Sequence, residues 1–278
     1  MTVRAALQQG QQLLEDAGVA VPRLTAEVLL THAISLSQTC DRAWLYAHAS
    51  DELRELWWIH YGRFLHERMQ GKPTQYITGR QEFYGREFHV SPDVLIPRPE
   101  TEHVVEAALS RITGAPRILD IGAGSGAIAI TLALETKAHV MATDISPAAL
   151  GVAQENARRF DANVSLTACD LGSAFAHETF DMVVSNPPYV PARDLHNIQR
   201  EVREFEPGLA LYGGEDGLDV YRRLIPEAAR LLKSGGWLIM ELGYAGLDPV
   251  REMLANWNDV EAVCDLAGLP RVIVASKS

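Results

Sequence analysis

Beyond Pro116 the chain alternates short apolar runs with helical segments, and this alternation restricts the possible folds more than any other feature. Strands are read at Arg117 to Ile121, His139 to Thr143, Val164 to Ala168, Met182 to Ser185 and Trp237 to Glu241, with a final pair near Val260 to Cys264 and Val272 to Ala275. Helices are expected to begin near Gly126, Ser146-Pro147 and Gly217, the last ending at Ser234-Gly235-Gly236. Short strands joined by helices bury both faces of a parallel sheet through right-handed crossovers. An open sheet of this kind binds its ligand outside the carboxyl ends of its strands, where the strand order reverses. The chemistry is therefore sought in the residues that end each strand.

The first seventy residues read as helices. Thr2 caps a segment with Val3, Ala6, Leu7, Leu13 and Leu14, which Gly18 stops, and Pro22 opens a second with Leu24, Val28, Leu29 and Ala33. A third is expected after Ser50, with Leu53, Leu56, Trp57, Ile59, His60, Phe64 and Leu65 on its faces. Trp44, Trp57 and Trp58 fall in this region and suit either a helical core or a partner-binding face. From Gln75 to Leu95 the pattern becomes alternating and β-branched, with Gly79, Gly85 and Pro92 as punctuation, which reads as a hairpin connector. The expected organisation is a helical domain over 1–72, a β-hairpin linker over 73–98 and a third segment, 99–278, that carries the sheet.

Charge and composition exclude several classes. Residues 1–90 hold nine Lys/Arg against ten Asp/Glu, but residues 91–278 hold sixteen against twenty-six, so the sheet-bearing part is acidic. A protein that neutralises nucleic-acid phosphates needs a basic surface, so direct nucleic-acid binding is not expected. No segment reaches the roughly 18 uninterrupted apolar residues of a membrane helix, and the first ten residues lack the features of a signal peptide. Cys40, Cys169 and Cys264 are far apart with no Cys-x-x-Cys pair, so no metal site is expected and a reducing cytoplasm fits.

The first strand runs into Gly122-Ala123-Gly124-Ser125-Gly126, a turn whose glycines allow close backbone approach by a ligand while the helix behind it supplies N–H groups. Its G-x-G-x-G spacing differs from the dinucleotide fingerprint. The second strand ends at Asp144, eighteen residues after Gly126, where a carboxylate suits a ribose hydroxyl pair. The third ends at Cys169-Asp170-Leu171, with Asp170 suited to an adenine amine and Leu171 to an adenine face. These strand ends describe a nucleoside site with no phosphate-binding Lys or Arg. S-adenosylmethionine fits such a site and ATP does not.

The fourth strand ends in Asn186-Pro187-Pro188-Tyr189. Two prolines fix φ and donate no backbone N–H, leaving the carbonyls around them as a rigid acceptor array. The Asn186 side-chain oxygen and the Pro187 carbonyl suit the two N–H groups of a planar nitrogen, and Tyr189 suits stacking on its face. Holding both hydrogens on acceptors favours the charge that builds on nitrogen as it attacks a methyl sulfonium.

With these residues the chain resembles class I S-adenosylmethionine-dependent methyltransferases that act on planar nitrogens. The resemblance narrows through Pro73-Thr74-Gln75-Tyr76-Ile77-Thr78-Gly79, Phe83-Tyr84-Gly85, Val94-Leu95-Ile96-Pro97-Arg98-Pro99-Glu100-Thr101-Glu102 and Phe205-Glu206-Pro207. From about Pro73 to the end, the chain is similar to the bacterial peptide chain release factor glutamine methyltransferases. That resemblance implies a Rossmann-like α/β fold with a mostly parallel seven-stranded sheet, preceded by a small helical domain that recognises the release factor. It also implies methylation of the glutamine in that factor's Gly-Gly-Gln loop, with S-adenosylhomocysteine as product; the chain is expected to act as a monomer. By position, Gly122 to Gly126, Asp144, Leu171 and Asn186 would contact the cofactor, and Asn186, Pro187, Pro188 and Tyr189 the substrate glutamine. One departure is Leu171, where similar enzymes can carry Trp. The alternatives are a nucleic-acid adenine or cytosine amino-methyltransferase, which shares the Asn-Pro-Pro-Tyr array, and a non-catalytic binding module on the same fold.

Overall fold

The computed structural model describes residues 1–278. Met1–Gly79 with Arg200–Phe205 form one compact unit, and Arg80–Gln199 with Glu206–Ser278 form another.

The first unit is helical. α1 (Val3–Asp16) starts at Thr2, whose Oγ1 accepts the Ala5 N–H at 3.2 Å, and α2 (Pro22–Ser35) starts with a proline whose missing N–H costs nothing there. The short α3 (Arg42–Ala47), unanticipated in the sequence, is capped by Asp41, which accepts from Trp44 N at 2.7 Å. α4 (Glu55–Met69) begins five residues after Ser50, and a further short helix, α5 (Thr74–Thr78), occupies the start of the region expected to be extended. Pro73 opens α5, and Gly79 in the left-handed region closes it, so this stretch is a one-turn helix bounded by its own punctuation. Val3, Leu14, Leu29, Leu30, Ile34, Trp57, Tyr61 and Phe64 form the core. Trp57 is buried with its indole N–H donating to Ser37 Oγ at 2.8 Å, and Trp44 meets it edge-on at 6.1 Å. Burial of Trp57 settles its part of the aromatic cluster as core.

In the second unit, β1 (Arg80–Phe83) and β2 (Arg86–His89) form the hairpin. Phe83 and Phe88 are fully buried with Val104, Ile118 and Ile128, so the hairpin shares the core of the sheet and is not a free connector. There follow α6 (Glu102–Leu109), β3 (Arg117–Ile121), α7 (Ala127–Glu135), β4 (His139–Asp144), α8 (Pro147–Arg159), β5 (Val164–Ala168) and β6 (Phe180–Ser185). α9 (Arg200–Phe205) belongs to the first unit. α10 (Asp219–Leu231), β7 (Leu232–Glu241), α11 (Leu247–Met253), β8 (Asn258–Cys264) and β9 (Pro270–Ser276) complete the chain. The sheet has seven strands in the order β5-β4-β3-β6-β7-β9-β8. The first five are parallel, and β9 runs antiparallel to both its neighbours. Ser234-Gly235-Gly236 lies inside β7 and does not end the preceding helix; there Gly235 N donates to the Lys277 carbonyl at 2.9 Å, and the register to β6 shifts. One face of the sheet is covered by α6 and α7 and the other by α10 and α11, burying Leu119, Val183, Leu238 and Ile273 completely. The order reverses between β3 and β6, which places the crevice at their carboxyl ends. No helix is long and apolar enough to cross a membrane.

Candidate active site

A cavity of about 310 Å³ opens at this reversal, within the size range of small-molecule sites. It is lined by residues from all four strand ends singled out in the sequence: Gly122, Ala123, Gly124 and Ser125, then Asp144, then Asp170 and Leu171, then Asn186, Pro187 and Pro188.

The glycine turn is held by its neighbours. The Thr143 carbonyl accepts from both Gly122 N and Ala123 N at 2.9 Å, Asp144 Oδ2 accepts from Gly124 N at 2.9 Å, and the Ala123 carbonyl accepts from Gly126 N at 2.8 Å. Most N–H donors expected of this turn are therefore spent on the fold, and what it offers a ligand is close approach. At Gly122, with φ of +81°, a Cβ would point into open space. Gly126 does not line the cavity: with φ of +82°, its Cβ would stand 2.8 Å from Ile130 Cδ1 and 3.2 Å from Ala153 Cβ, so it lets α7 and α8 pack together. Behind the turn Asp120 is fully buried; its Oδ2 accepts from Ala129 N at 3.1 Å, and its Oδ1 has no partner. Burial pushes this carboxyl up to about 7.

Asp144 ends β4 half-buried, with Oδ1 accepting from Ser146 N at 2.8 Å, and Ser146 in turn caps α8 by accepting from Ala149 N. Each carboxylate oxygen has one acceptor site left for a hydroxyl. Ile145 follows, 59% exposed and lining the same cavity, an apolar surface that sequence reasoning passed over. At the end of β5, Leu171 takes a left-handed backbone (φ +50°) and lines the cavity as well. A cation is present after all: Arg223 of α10 lines the cavity, but it is paired with Asp170, which leaves no net charge for a phosphate.

These residues fit a nucleoside bearing a sulfonium amino acid. The walls contributed by Ile145, Leu171 and the prolines are apolar, the open glycine admits close contact, Asp144 keeps spare acceptor sites, and the only lining cation found here is already neutralised.

The Asn-Pro-Pro-Tyr segment follows β6 as extended chain. Ser185, at the end of the strand, donates to the Ile121 carbonyl at 2.6 Å and so joins it to the end of β3. Val190 pairs with Tyr212 beyond it: Val190 N donates to the Leu211 carbonyl and Gly213 N to the Val190 carbonyl, both at 2.9 Å. Asn186 Nδ2 donates to Thr101 Oγ1 at 3.0 Å, and Thr101 donates to Glu241 Oε2 at 2.6 Å. Tyr189, whose ring was expected to stack on the substrate, does not line the cavity. Its ring packs against Gly243, where a Cβ would stand 2.9 Å away, and its hydroxyl donates to Glu241 Oε1 at 3.3 Å. Burial and the nearby Glu241 charge raise the Tyr189 hydroxyl well above the usual phenol range.

Glu206 is buried and accepts from Ile96 N at 3.1 Å and from Arg98. It ties the Ile96-Pro97-Arg98 run to Glu206-Pro207, and Pro97 and Pro207 both line the cavity. The sequence presented these two motifs as separate signals, about a hundred residues apart, and the structure makes them one wall.

Comparisons with known proteins bear on the family and the fold. Residues 5–79 match the family model described as PrmC N-terminal domain, and residues 102–204 match the Methyltransferase small domain. A release factor glutamine methyltransferase of Koribacter versatilis is 47% identical over 100% of this chain and 99% of its own. That of Geobacter sulfurreducens is 42% identical over 98% of this chain and 95% of its own, and that of Bordetella pertussis 41% over 94% and 97%. Among solved structures, a methyltransferase from Pyrococcus furiosus superposes with a TM-score of 0.54 at 20% identity, covering 70% of this chain and 91% of that one. The T. thermophilus 16S rRNA N2 G1207 methyltransferase, solved with AdoMet and guanosine, gives 0.52 at 21% identity, covering 72% and 50%. At such identities the likeness concerns the fold alone. The relatives match over the whole length and include both units, and on that ground the chain belongs to the release factor glutamine methyltransferase family.

Proposed function

We propose that this chain methylates the side-chain amide nitrogen of the glutamine in the Gly-Gly-Gln motif of peptide chain release factors, using S-adenosylmethionine and leaving S-adenosylhomocysteine. The observation that carries this reading is the placement of Asn186 and Pro187 on the same cavity wall, with the Asn186 amide held by Thr101, beside the nucleoside-type pocket of Gly122, Asp144 and Leu171.

The cofactor supplies a methyl group already activated on a sulfonium. Asp144 and the glycine turn would hold the nucleoside, Ile145 and Leu171 would flank its base, and the Asp170 oxygen not engaged by Arg223 would accept from the base's exocyclic amine. Asn186 Oδ1 and the Pro187 carbonyl accept the two hydrogens of the substrate amide. The amide is a poor nucleophile because its lone pair is delocalised, and acceptors on both hydrogens stabilise positive charge at nitrogen as the bond to carbon forms. The C–S electron pair returns to sulfur, and one N–H proton leaves to water. Tyr189 acts from behind the array, through Glu241, and not by stacking. Residues 1–79 are assigned to recognition of the release factor, and the chain is taken to act as a cytoplasmic monomer without direct nucleic-acid contact.

Incubating the enzyme with methyl-labelled S-adenosylmethionine and, in parallel, release factor, DNA and RNA tests this. Label on the release factor glutamine supports the reading. Label on DNA or RNA alone would move the chain to the amino-methyltransferases of nucleic acids.

A further inference from the structure

Asn186 is the one side chain of the acceptor array that could face either way, because an amide rotated by half a turn exchanges its oxygen for an NH₂ group. In one orientation it accepts a hydrogen from the substrate amide; in the other it presents donors to donors and repels it. Something must select between the two. Asn186 is joined to three further side chains whose donations converge on one carboxylate: Asn186 Nδ2 donates to Thr101 Oγ1 at 3.0 Å, Thr101 Oγ1 to Glu241 Oε2 at 2.6 Å, and the Tyr189 hydroxyl to Glu241 Oε1 at 3.3 Å; Thr101 reaches the cavity edge beside Asn186, while Glu241 and Tyr189 do not line it. Thr101 and Glu241 are 4% and 3% exposed, so water does not compete for these bonds. Glu241 ends β7, next to β6, and its backbone carbonyl accepts from the buried Tyr221 hydroxyl at 2.7 Å, which fixes the carboxylate-bearing residue on α10.

We propose that Glu241 and Thr101 are positioning residues that fix the orientation of the Asn186 amide: the Glu241 carboxylate takes the Thr101 hydroxyl hydrogen, the Thr101 oxygen is left only to accept, and Asn186 must give it Nδ2 and turn Oδ1 to the substrate. This rests on the methyltransferase reading above and deepens it.

The arrangement makes the orientation sensitive to pH. Burial raises the Glu241 carboxyl to about 7, with the Glu100 charge adding to the rise; hydrogen bonds from Thr101 and Tyr189 and the Arg271 cation oppose it. The Arg98 cation opposes the rise of the Tyr189 hydroxyl. Above that value the carboxylate is an acceptor only and the orientation is locked. Below it the protonated carboxyl can donate to Thr101, whose hydroxyl is then free to donate to Asn186 Oδ1, and the amide turns over. Activity is therefore lost as pH falls through about 7.

Two measurements test this. The Asn186 side-chain NH₂ signals, identified by their absence in Asn186→Ala, are followed by NMR across the neutral range without substrate. They should shift with a midpoint near that of Glu241 in the wild type and lose that shift in Thr101→Val. Single-turnover methylation of release factor, with both substrates saturating, should fall about 10²-fold in Thr101→Val, the scale for losing one oriented polar partner. Thr101→Ser, which keeps the hydroxyl, should recover about ten-fold of that loss, and the acid limb seen in the wild type should be absent in Thr101→Val. Binding of S-adenosylmethionine, read by calorimetry, confirms that each variant is folded. A near-normal rate in Thr101→Val, an acid limb that persists there, or Asn186 signals that do not titrate in the wild type would overturn the inference. Should the wild type transfer no methyl group to release factor, the functional reading falls, and the NMR titration still decides the orientation by itself.

Discussion

Gly122 and Gly126 both have φ near +80°, yet the structure gives them opposite duties, and alanine at each should separate them. Either substitution forces an L-residue into the left-handed region at a cost of roughly 1–2 kcal/mol. At Gly122 the added methyl meets nothing within 4 Å, so that is the whole folding cost. At Gly126 it stands 2.8 Å from Ile130 Cδ1 and 3.2 Å from Ala153 Cβ; the isoleucine tip can give way, but the alanine sits on the neighbouring helix. Overpacking of this kind adds about 1–3 kcal/mol. The stiffening of the unfolded chain is the same for both and cancels. Urea unfolding should therefore show Gly126→Ala less stable than Gly122→Ala by about 1–3 kcal/mol at equal m-value. Affinity for S-adenosylmethionine should rank the other way, because only Gly122 lines the cavity, and Gly122→Ala should weaken it ten-fold or more, about 1.4 kcal/mol. Equal midpoints, or a larger affinity loss at Gly126, would refute the division and return Gly126 to the ligand site.

Asp144→Ala should weaken S-adenosylmethionine binding by about 1.5–3 kcal/mol, the worth of hydrogen bonds to a charged partner, and calorimetry reads it directly. Part of that loss is indirect, because Asp144 also holds the Gly124 and Ser146 N–H groups; Asp144→Asn, which retains an acceptor oxygen, should lose less. A free Gly-Gly-Gln peptide should be a far poorer substrate than whole release factor, since it lacks the remote binding energy that positions the amide. Removing residues 1–70 should reduce methylation of the whole factor much more than binding of S-adenosylmethionine, provided circular dichroism shows the rest folded; equal methylation by the truncated enzyme would make these helices structural only.

Sheet and pocket were legible because their signals are local. An apolar run ending in Gly, Asp or Pro marks a strand end wherever it occurs, so Gly122, Asp144, Leu171 and Asn186 could be named and found on one cavity. The supporting contacts were not legible, because they join residues far apart in the chain, and the motifs that contain Arg98, Thr101 and Glu206 do not say which side chains pair. Thr101 and Glu241 are 140 positions apart, and Arg98 and Glu206 are 108 apart. Nothing in either segment announces its partner. Tyr189 was misjudged for a related reason: an aromatic residue after two prolines reads as a stacking platform, and only the fold shows its ring against Gly243 and its hydroxyl on a buried carboxylate. Arg223 was missed because a cation on a helix looks solvated until the helix is placed beside Asp170.

In the proposed reaction, rate comes from holding the substrate amide on Asn186 and Pro187, with no strong base. Single-turnover methylation by Asn186→Ala, with release factor and S-adenosylmethionine both saturating, tests it most directly. Turnover should fall about 10²-fold or more, the scale for removing one preorganised polar partner of a transition state, with the fold intact. Turnover close to that of the wild type would contradict it.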